Sequence, residues 1–451
     1  MMKLNQQQVQ HLLLRAGFGD THATVQKYIG LKPADILEEQ LALATKVNPV
    51  KIDAEFVSYT VMKEMSSDEQ QMMRKEARQD VKELNVLWLK EMANAPSGIN
   101  EKMAFFWHDH FACSSQNPKF VQVYLDAIRQ HALGNFGDLL RAVSKSQAIL
   151  LYLNNQQNRK MAPNENFARE VMELFTLGRD EGYTEKDISE AARAFTGWGI
   201  KEGEFFERPF QHDNGVKVIM GQSGNFDGDD VLDILLKKPQ TARFIAQKWV
   251  KYFVHYDGNP ALEKRVADEL FRTNYDIKRA LVVMYSSDEF YDVKNLGSRI
   301  KSPIELITNF QRQVHVRIEN DQSFIFLQRM MGQTLFDPPN VAGWPDGKDW
   351  VDSASLMFRM NLPQLIFRSA LIQYPLAASF DDNDQFKLKG QLKQLQTSID
   401  LKLLESSFPN GDLAEIQKFL LQGFPENQDK MDGSLIDKIV HITSKPEYQL
   451  C

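Results

Sequence analysis

The sequence predicts a mainly α protein, a multi-helical globular array with one small β-hairpin around residues 199–221. Apolar residues recur at three- and four-residue intervals along most of the 451 positions, alternating apolar and polar runs are scarce, and the breaks between periodic stretches are short. Such spacing puts apolar side chains on one face of a helix, whereas a half-buried strand needs a period of two. It joins Leu84, Leu87 and Trp88; Tyr124, Leu125, Ile128 and Ala132; Leu139, Leu140 and Val143; and Leu281, Met284 and Tyr285. The exception is EFFERPFQHDNGVKVIMG, whose short extended pieces flank a turn-like DNG and predict the hairpin.

Punctuation is local: NAPSGIN, GRDEGYT, YDGNP and FDPPNVAGWPDG separate helical stretches, and no long Ser/Gly linker intervenes. Residues 4–375 therefore read as a main helical domain. Residues 376–451 read as a C-terminal helical extension packed on it, either within the same domain or beside it. The tract SSDEQQMMRKEARQDVKE alternates its charges at helical spacing and predicts a solvated, protruding helix within residues 60–92.

With 53 Lys and Arg against 60 Asp and Glu, the net charge is −7, which leaves no basic excess for a nucleic-acid or anionic-membrane footprint. Cys113 and Cys451 stand too far apart in the chain to suggest a disulfide framework or a metal knuckle. No apolar run is long enough for a transmembrane segment. The N-terminal residues lack a continuous apolar leader, which predicts a cytoplasmic location. Phosphate loops, dinucleotide fingerprints, zincin helices, calcium loops and nucleophile elbows are missing from the sequence, which leaves three unusual clusters to carry any chemistry.

The first cluster is NENFAREVMELFTLG. Asn164 is positioned to cap a helix and Gly178 to end it. At 100° per residue Phe167, Val171, Leu174 and Phe175 share one face, opposite a narrow arc of Asn166, Arg169, Glu170 and Glu173. As a wet surface that arc holds an Arg169–Glu173 pair worth a few tenths of a kcal/mol. As a buried wall, its two carboxylates beside one guanidinium can hold a metal or exchange a proton.

The second is KMAFFWHDHFACSS. Met103, Phe106, Trp107, His110 and Phe111 form a helical stripe, so His108 and His110 diverge by about 200° and only one of them faces any given site unless the last turn frays. A satisfied core histidine competes with the ligand reading for each.

The third is FQHDNGVKVIMGQSGNFDGDD, where His212, Asp213 and Lys217 lie on the expected hairpin, a place where a helical frame can present reactive groups. Trp198 and Trp344 stand in Gly-bounded loops, where they either line a ligand cleft or anchor the loop.

Together with RAGFG, LLYLNNQQNRK, EAARAFTGW and LFDPPNVAGWP, these blocks resemble the bacterial domain-of-unknown-function family numbered eighteen hundred, over about residues 8–362. The resemblance brings no reaction and no catalytic residues. It implies a partner protein from a neighbouring uncharacterised family of alkaline-phosphatase-like fold. It also implies a periplasmic or envelope location, against the missing leader.

Two functions are carried forward. The first is a helical enzyme, hydrolytic by default, with Glu170 or Glu173 as general base, Arg169 holding an anionic group and His212 assisting. A divalent zinc, manganese or iron would be held by His108, His110, Glu170, Glu173 and Asp213. Asn164, Asn166, Lys217, Trp198 and Trp344 complete this site as substrate contacts. The second is a non-catalytic scaffold that docks a partner, its polar clusters being buried networks that fix helix register.

Overall fold

A computed structural model describes residues 2–54, 56–57, 59–368, 397–422 and 433–451. Helices dominate from Gln6–Ala16 to Leu435–Thr443, as the apolar spacing predicts. Their starts follow the expected chemistry: side chains of Asn5, Ser66, Thr184, Asp227, Ser302 and Ser434 each accept a first-turn N–H in a reciprocal capping box. The buried apolar side chains form one cluster running from Leu4 to Tyr448, so the described residues beyond 397 share the core of the rest. The boundary expected at residues 375–376 lies outside the described residues.

The charged tract forms the first half of the 28-residue helix Ser67–Asn94. That half is largely exposed, while Leu84, Asn85, Val86, Trp88, Leu89 and Met92 bury the second half. Helix Ile99–His110, by contrast, is buried on every side apart from Asp109, which is half-buried. An element so enclosed places its buried polar residues against protein partners rather than water, so its two histidines must be satisfied internally.

The single expected hairpin is two hairpins. Trp198–Lys201 pairs antiparallel with Glu204–Glu207, and Lys217–Ile219 with Gln222–Gly224. Their turns are Glu202-Gly203, with φ of 52° and 82°, and Met220-Gly221, with φ of 48° and 83°. Two successive left-handed residues match the twist of a tight hairpin. The DNG triplet is not a hairpin turn: Asp213 accepts the Gly215 N–H at 2.8 Å, making a local side-chain turn in the connection between the hairpins. A third small sheet pairs Val316–Ile318 with Thr397–Ile399.

Candidate functional site

The NENFAREVMELFTLG segment begins as expected, with the Asn164 side chain accepting the Asn166 N–H at 3.0 Å. An α-helix runs over Asn166–Glu170, but Val171–Thr176 then widens into a π-helix, where Thr176 Oγ1 donates to the Val171 carbonyl at 2.7 Å and Leu177 N–H to Met172 at 2.8 Å. The wider turn rotates the later residues away from the 100° positions assumed for a straight α-helix. Phe167, Val171 and Phe175 are buried as expected, Leu174 is only partly buried, and Met172 and Leu177 are fully buried although they fall on or beside the polar arc. Insertions of this kind recur at functional sites.

Along the polar arc Asn166 is exposed, its amide reaching the Leu153 carbonyl at 3.0 Å, and Arg169, Glu170 and Glu173 are half-buried. Arg169 is surrounded by carboxylates, with Glu165 at 3.2 Å, Glu173 at 3.3 Å and Glu185 at 2.7 Å. Glu173 also lies 3.5 Å from Arg179. Burial, assisted by Glu173, pushes the Glu170 carboxyl up from its ordinary value. No imidazole approaches Glu170 or Glu173 within ion-pair distance among the described residues; the histidines with such carboxylate contacts are His22, His212 and His255, paired to Glu415, Glu207 and Asp257.

The imidazoles of helix Ile99–His110 are engaged elsewhere, in opposite tautomers. His108 Nε2 lies 3.0 Å from the Phe336 backbone N–H and must accept it, so Nδ1 carries the proton toward Tyr124 Oη at 3.1 Å. The Tyr124 hydroxyl in turn donates to the Phe111 carbonyl at 2.9 Å. His110 Nε2 lies 3.1 Å from the Phe175 carbonyl, in the π-helix, and must donate, so Nδ1 accepts from Lys248 Nζ at 3.1 Å. Neither ring keeps a lone pair for a metal. Burial drives both rings toward neutrality, holding the His108 pKa at about 3 and His110 well below its ordinary value.

Asp109, between the two histidines, grips the 336–347 loop: its Oδ1 accepts the Trp344 N–H at 2.8 Å. Gly343 lies so close that a Cβ there would meet that oxygen at 2.3 Å, and its φ of 93° suits glycine alone. Desolvation pushes the Asp109 carboxyl up to about 6, although the Trp344 N–H and Lys248 favour its anion. Trp344 is 8% exposed with its ring centroid 5.1 Å from that of His108, and so anchors the loop. In the same loop Phe336 is held at φ 67°, left-handed backbone for a bulky residue, at a cost on the order of 1–2 kcal/mol. Its ring is stacked on Trp88 at 5.6 Å.

The third cluster is a separate polar knot. His212 donates Nδ1–H to the Thr196 carbonyl at 2.9 Å. Asp213 pairs with Arg193 at 2.7 Å, and that hydrogen bond holds its carboxyl below the usual range. Fully buried Lys217 donates to the carbonyls of Asp213 and Gly215 and toward Asn225. Trp198 is buried, with the Lys145 ammonium 5.4 Å from its ring centroid, and supports the first hairpin rather than lining a cleft.

The residues expected to form one site are thus divided: Arg169, Glu170 and Glu173 lie on one arc, His108 faces Tyr124 and Phe336 beside Trp344, His110 faces Lys248 and the Phe175 carbonyl, and His212, Asp213 and Lys217 form the polar knot. Among the described residues, no group of three or more His, Cys, Asp and Glu side chains is arranged to hold a metal ion. Asp109, Lys248 and Phe336 were absent from the expected site. HDH offered a signal for Asp109, because a carboxylate flanked by diverging histidines on an enclosed helix needs a partner of its own. No helix among the described residues is long and apolar enough to cross a membrane. No curated protein and no solved structure matches the chain. The family model described as "Protein of unknown function (DUF1800)" matches residues 11–450, and the chain belongs to that family.

Proposed function

We propose that this protein is a non-catalytic helical scaffold that docks a partner protein, its polar clusters serving as internal networks that fix how its helices and loops meet. The observation that supports this most is the pair of opposite tautomers at His108 and His110, each ring hydrogen-bonded at both nitrogens to groups of the chain itself. Closed networks of this kind specify a unique arrangement of packed elements, and they leave few polar atoms for a substrate. Arg169, Asp213 and Lys217 are closed in the same way. The partner to try first is the neighbouring alkaline-phosphatase-like protein that the family resemblance implies.

One observation favours an enzyme as the second reading. Desolvation raises the Asp109 carboxyl to about 6 near the buried ammonium of Lys248, and a carboxyl that titrates there can take up a proton near neutral pH. In that reading Asp109 accepts the proton while Lys248 holds an anionic group.

The test uses the purified full chain, incubated with zinc, manganese or iron salts, desalted and analysed by elemental mass spectrometry beside His110→Ala, His212→Ala and Glu173→Gln. Sedimentation of the chain mixed with the purified neighbour protein follows. The scaffold reading expects no stoichiometric metal, lower thermal stability for His110→Ala, and a complex with the neighbour. A stoichiometric metal that Glu173→Gln releases without unfolding the chain would overturn it, as would the absence of any complex at micromolar concentrations.

A further inference from the structure

The fraying turn after HDH and the start of the 336–347 loop meet at a cleft of about 420 Å³, lined by Ser114, Ser115, Thr334, Leu335, Phe336 and Asp337, with Asn85, Gln116 and Ile325 beside them. Arg78 and Lys82 close it from helix Ser67–Asn94, one turn apart on one face, and Arg329 from helix Asp321–Met330. The volume falls within the range of small-molecule sites.

Its floor is built rather than accidental. Asn85 and Gln328 exchange amide hydrogen bonds at 3.0 and 2.6 Å and together clamp both backbone groups of Leu335, at 3.1 and 3.0 Å. His108 holds the next residue, Phe336, in its left-handed conformation. Backbone held against its preference by several converging contacts points toward a function for the surface it shapes.

The walls carry a charge excess that the rest of the acidic chain does not neutralise. Among the described residues Arg78, Lys82 and Arg329 have no ion-paired or hydrogen-bonded carboxylate, and Asp337 is the one acid on the lining. Lys90, Lys264 and Arg265, by contrast, each hold a carboxylate within 2.8 Å. Three cations and three hydroxyls offer more donors than the two oxygens of a carboxylate can use, whereas the three terminal oxygens of a phosphate monoester match them. Val81 lines the cleft beside Ile325, Leu335 and Phe336, which are 9%, 2% and 4% exposed, so the group that bears the phosphate meets a largely buried apolar floor with Val81 at its side.

We propose that this cleft binds a small organic phosphate, its oxyanion held by Arg78, Lys82 and Arg329 and its apolar body against Phe336. The site stands independently of the partner-docking reading. Its test is calorimetric titration of the full chain at pH 8, where the phosphate is dianionic, with phenyl phosphate, inorganic phosphate and a glutamate-rich peptide as separate probes. Phenyl phosphate is expected to saturate one site and to bind about tenfold more tightly than inorganic phosphate, through its ring. The double variant Arg78→Gln/Arg329→Gln, both exposed positions, is expected to keep the wild-type melting temperature and lose at least about tenfold in affinity. The proposal fails if phenyl phosphate gives no saturable heat up to about 10 mM, a concentration that corresponds to less than about 3 kcal/mol of binding. It also fails if the double variant binds as the wild type does. Saturation by the peptide alone, abolished in the double variant, would overturn it in favour of a protein ligand.

Discussion

The Lys102–Glu305 pair and the Arg169 cluster are made of the same chemistry, carboxylates beside cations, at opposite depths. Lys102 and Glu305 are each 3% exposed and joined across 203 positions of sequence. Arg169 is 31% exposed, and its nearest carboxylate, Glu185, is 76% exposed. Around Glu305 the other charges are also buried: Arg299, Lys301, Arg359 and Arg15 all lie within its electrostatic reach. Its two oxygens divide their work, one closing the capping box on Ser302 N at 2.7 Å and the other meeting Lys102. In the core a charge removed from water depends on the partner that remains, whereas at the rim water replaces any partner that is lost. The cluster most conspicuous in the sequence is therefore the less consequential of the two for stability.

The sharpest test of that contrast is Glu305→Gln, for which the largest loss is expected. The substitution leaves Lys102 and Arg299 without their buried carboxylate, and breaking such a pair from one side costs about 3–5 kcal/mol, measurable by urea denaturation. The pH dependence has a definite sign. Burial alone would push the Glu305 carboxyl up, but Lys102 and Arg299 overcome it and hold the pKa at about 2, below the ordinary value of 4.5. A depressed carboxylate contributes stability above its unfolded pKa and loses it as pH falls through the folded one. Wild type should lose this contribution between about pH 4.5 and 2, and Glu305→Gln should lack that part of the acid limb. Equal stability of variant and wild type at pH 7 would remove the distinction between the two clusters.

How far each region was legible follows from the range of the interactions that build it. The helix at residues 99–110 and the divergence of its two histidines depend on spacing alone, and both are found: His108 faces Tyr124 and Phe336, and His110 faces Phe175 and Lys248. The Asn164 side chain on the Asn166 N–H, one residue before the N-cap Glu165, and the left-handed Gly178 are equally local. The π-turn is not local in this sense, since every residue from Val171 to Thr176 is compatible with an ordinary α-helix. Met172 and Leu177 are buried where a straight helix would put them on or beside the polar arc, so tertiary packing on both sides decides the turn. The hairpins were misplaced because DNG is the strongest short turn signal, while Glu202-Gly203 and Met220-Gly221 achieve the same geometry without Asn or Asp in the first place. Glu305 is also illegible, because nothing near it in sequence reveals that Lys102 lies against it.

A smaller loss is expected at the HDH turn, where one partner is an imidazole rather than a full charge. His108→Phe preserves a flat ring in the space beside Trp88 and Trp344 but removes the acceptor of the Phe336 N–H. An orphaned buried N–H costs about 1–3 kcal/mol. His108→Ala should cost more, because it adds a cavity among aromatic rings. Both are read by thermal or urea unfolding, and near-ultraviolet circular dichroism reports whether Trp88 and Trp344 keep their surroundings. Should His108→Phe prove neutral, the turn would not be what holds the left-handed Phe336.

The smallest effect is expected where the sequence looked most like an active site. Arg169→Gln removes the cation from among Glu165, Glu173 and Glu185, yet Glu165 and Glu185 are open to solvent and Glu173, 12% exposed, keeps Arg179 at 3.5 Å, so water, counterions and a second guanidinium screen the three carboxylates. The loss should stay below about 1 kcal/mol and shrink further as sodium chloride is raised to about 0.5 M, since exposed pairs are screened while buried ones are not. Comparing the salt dependence of Arg169→Gln with that of Glu305→Gln in one unfolding series isolates burial as the variable. A loss at Arg169 comparable to that at Glu305, and insensitive to salt, would mean that the carboxylates of this segment are enclosed in solution. The wall formed by Glu170 and Glu173 would then regain its claim as the place where chemistry occurs.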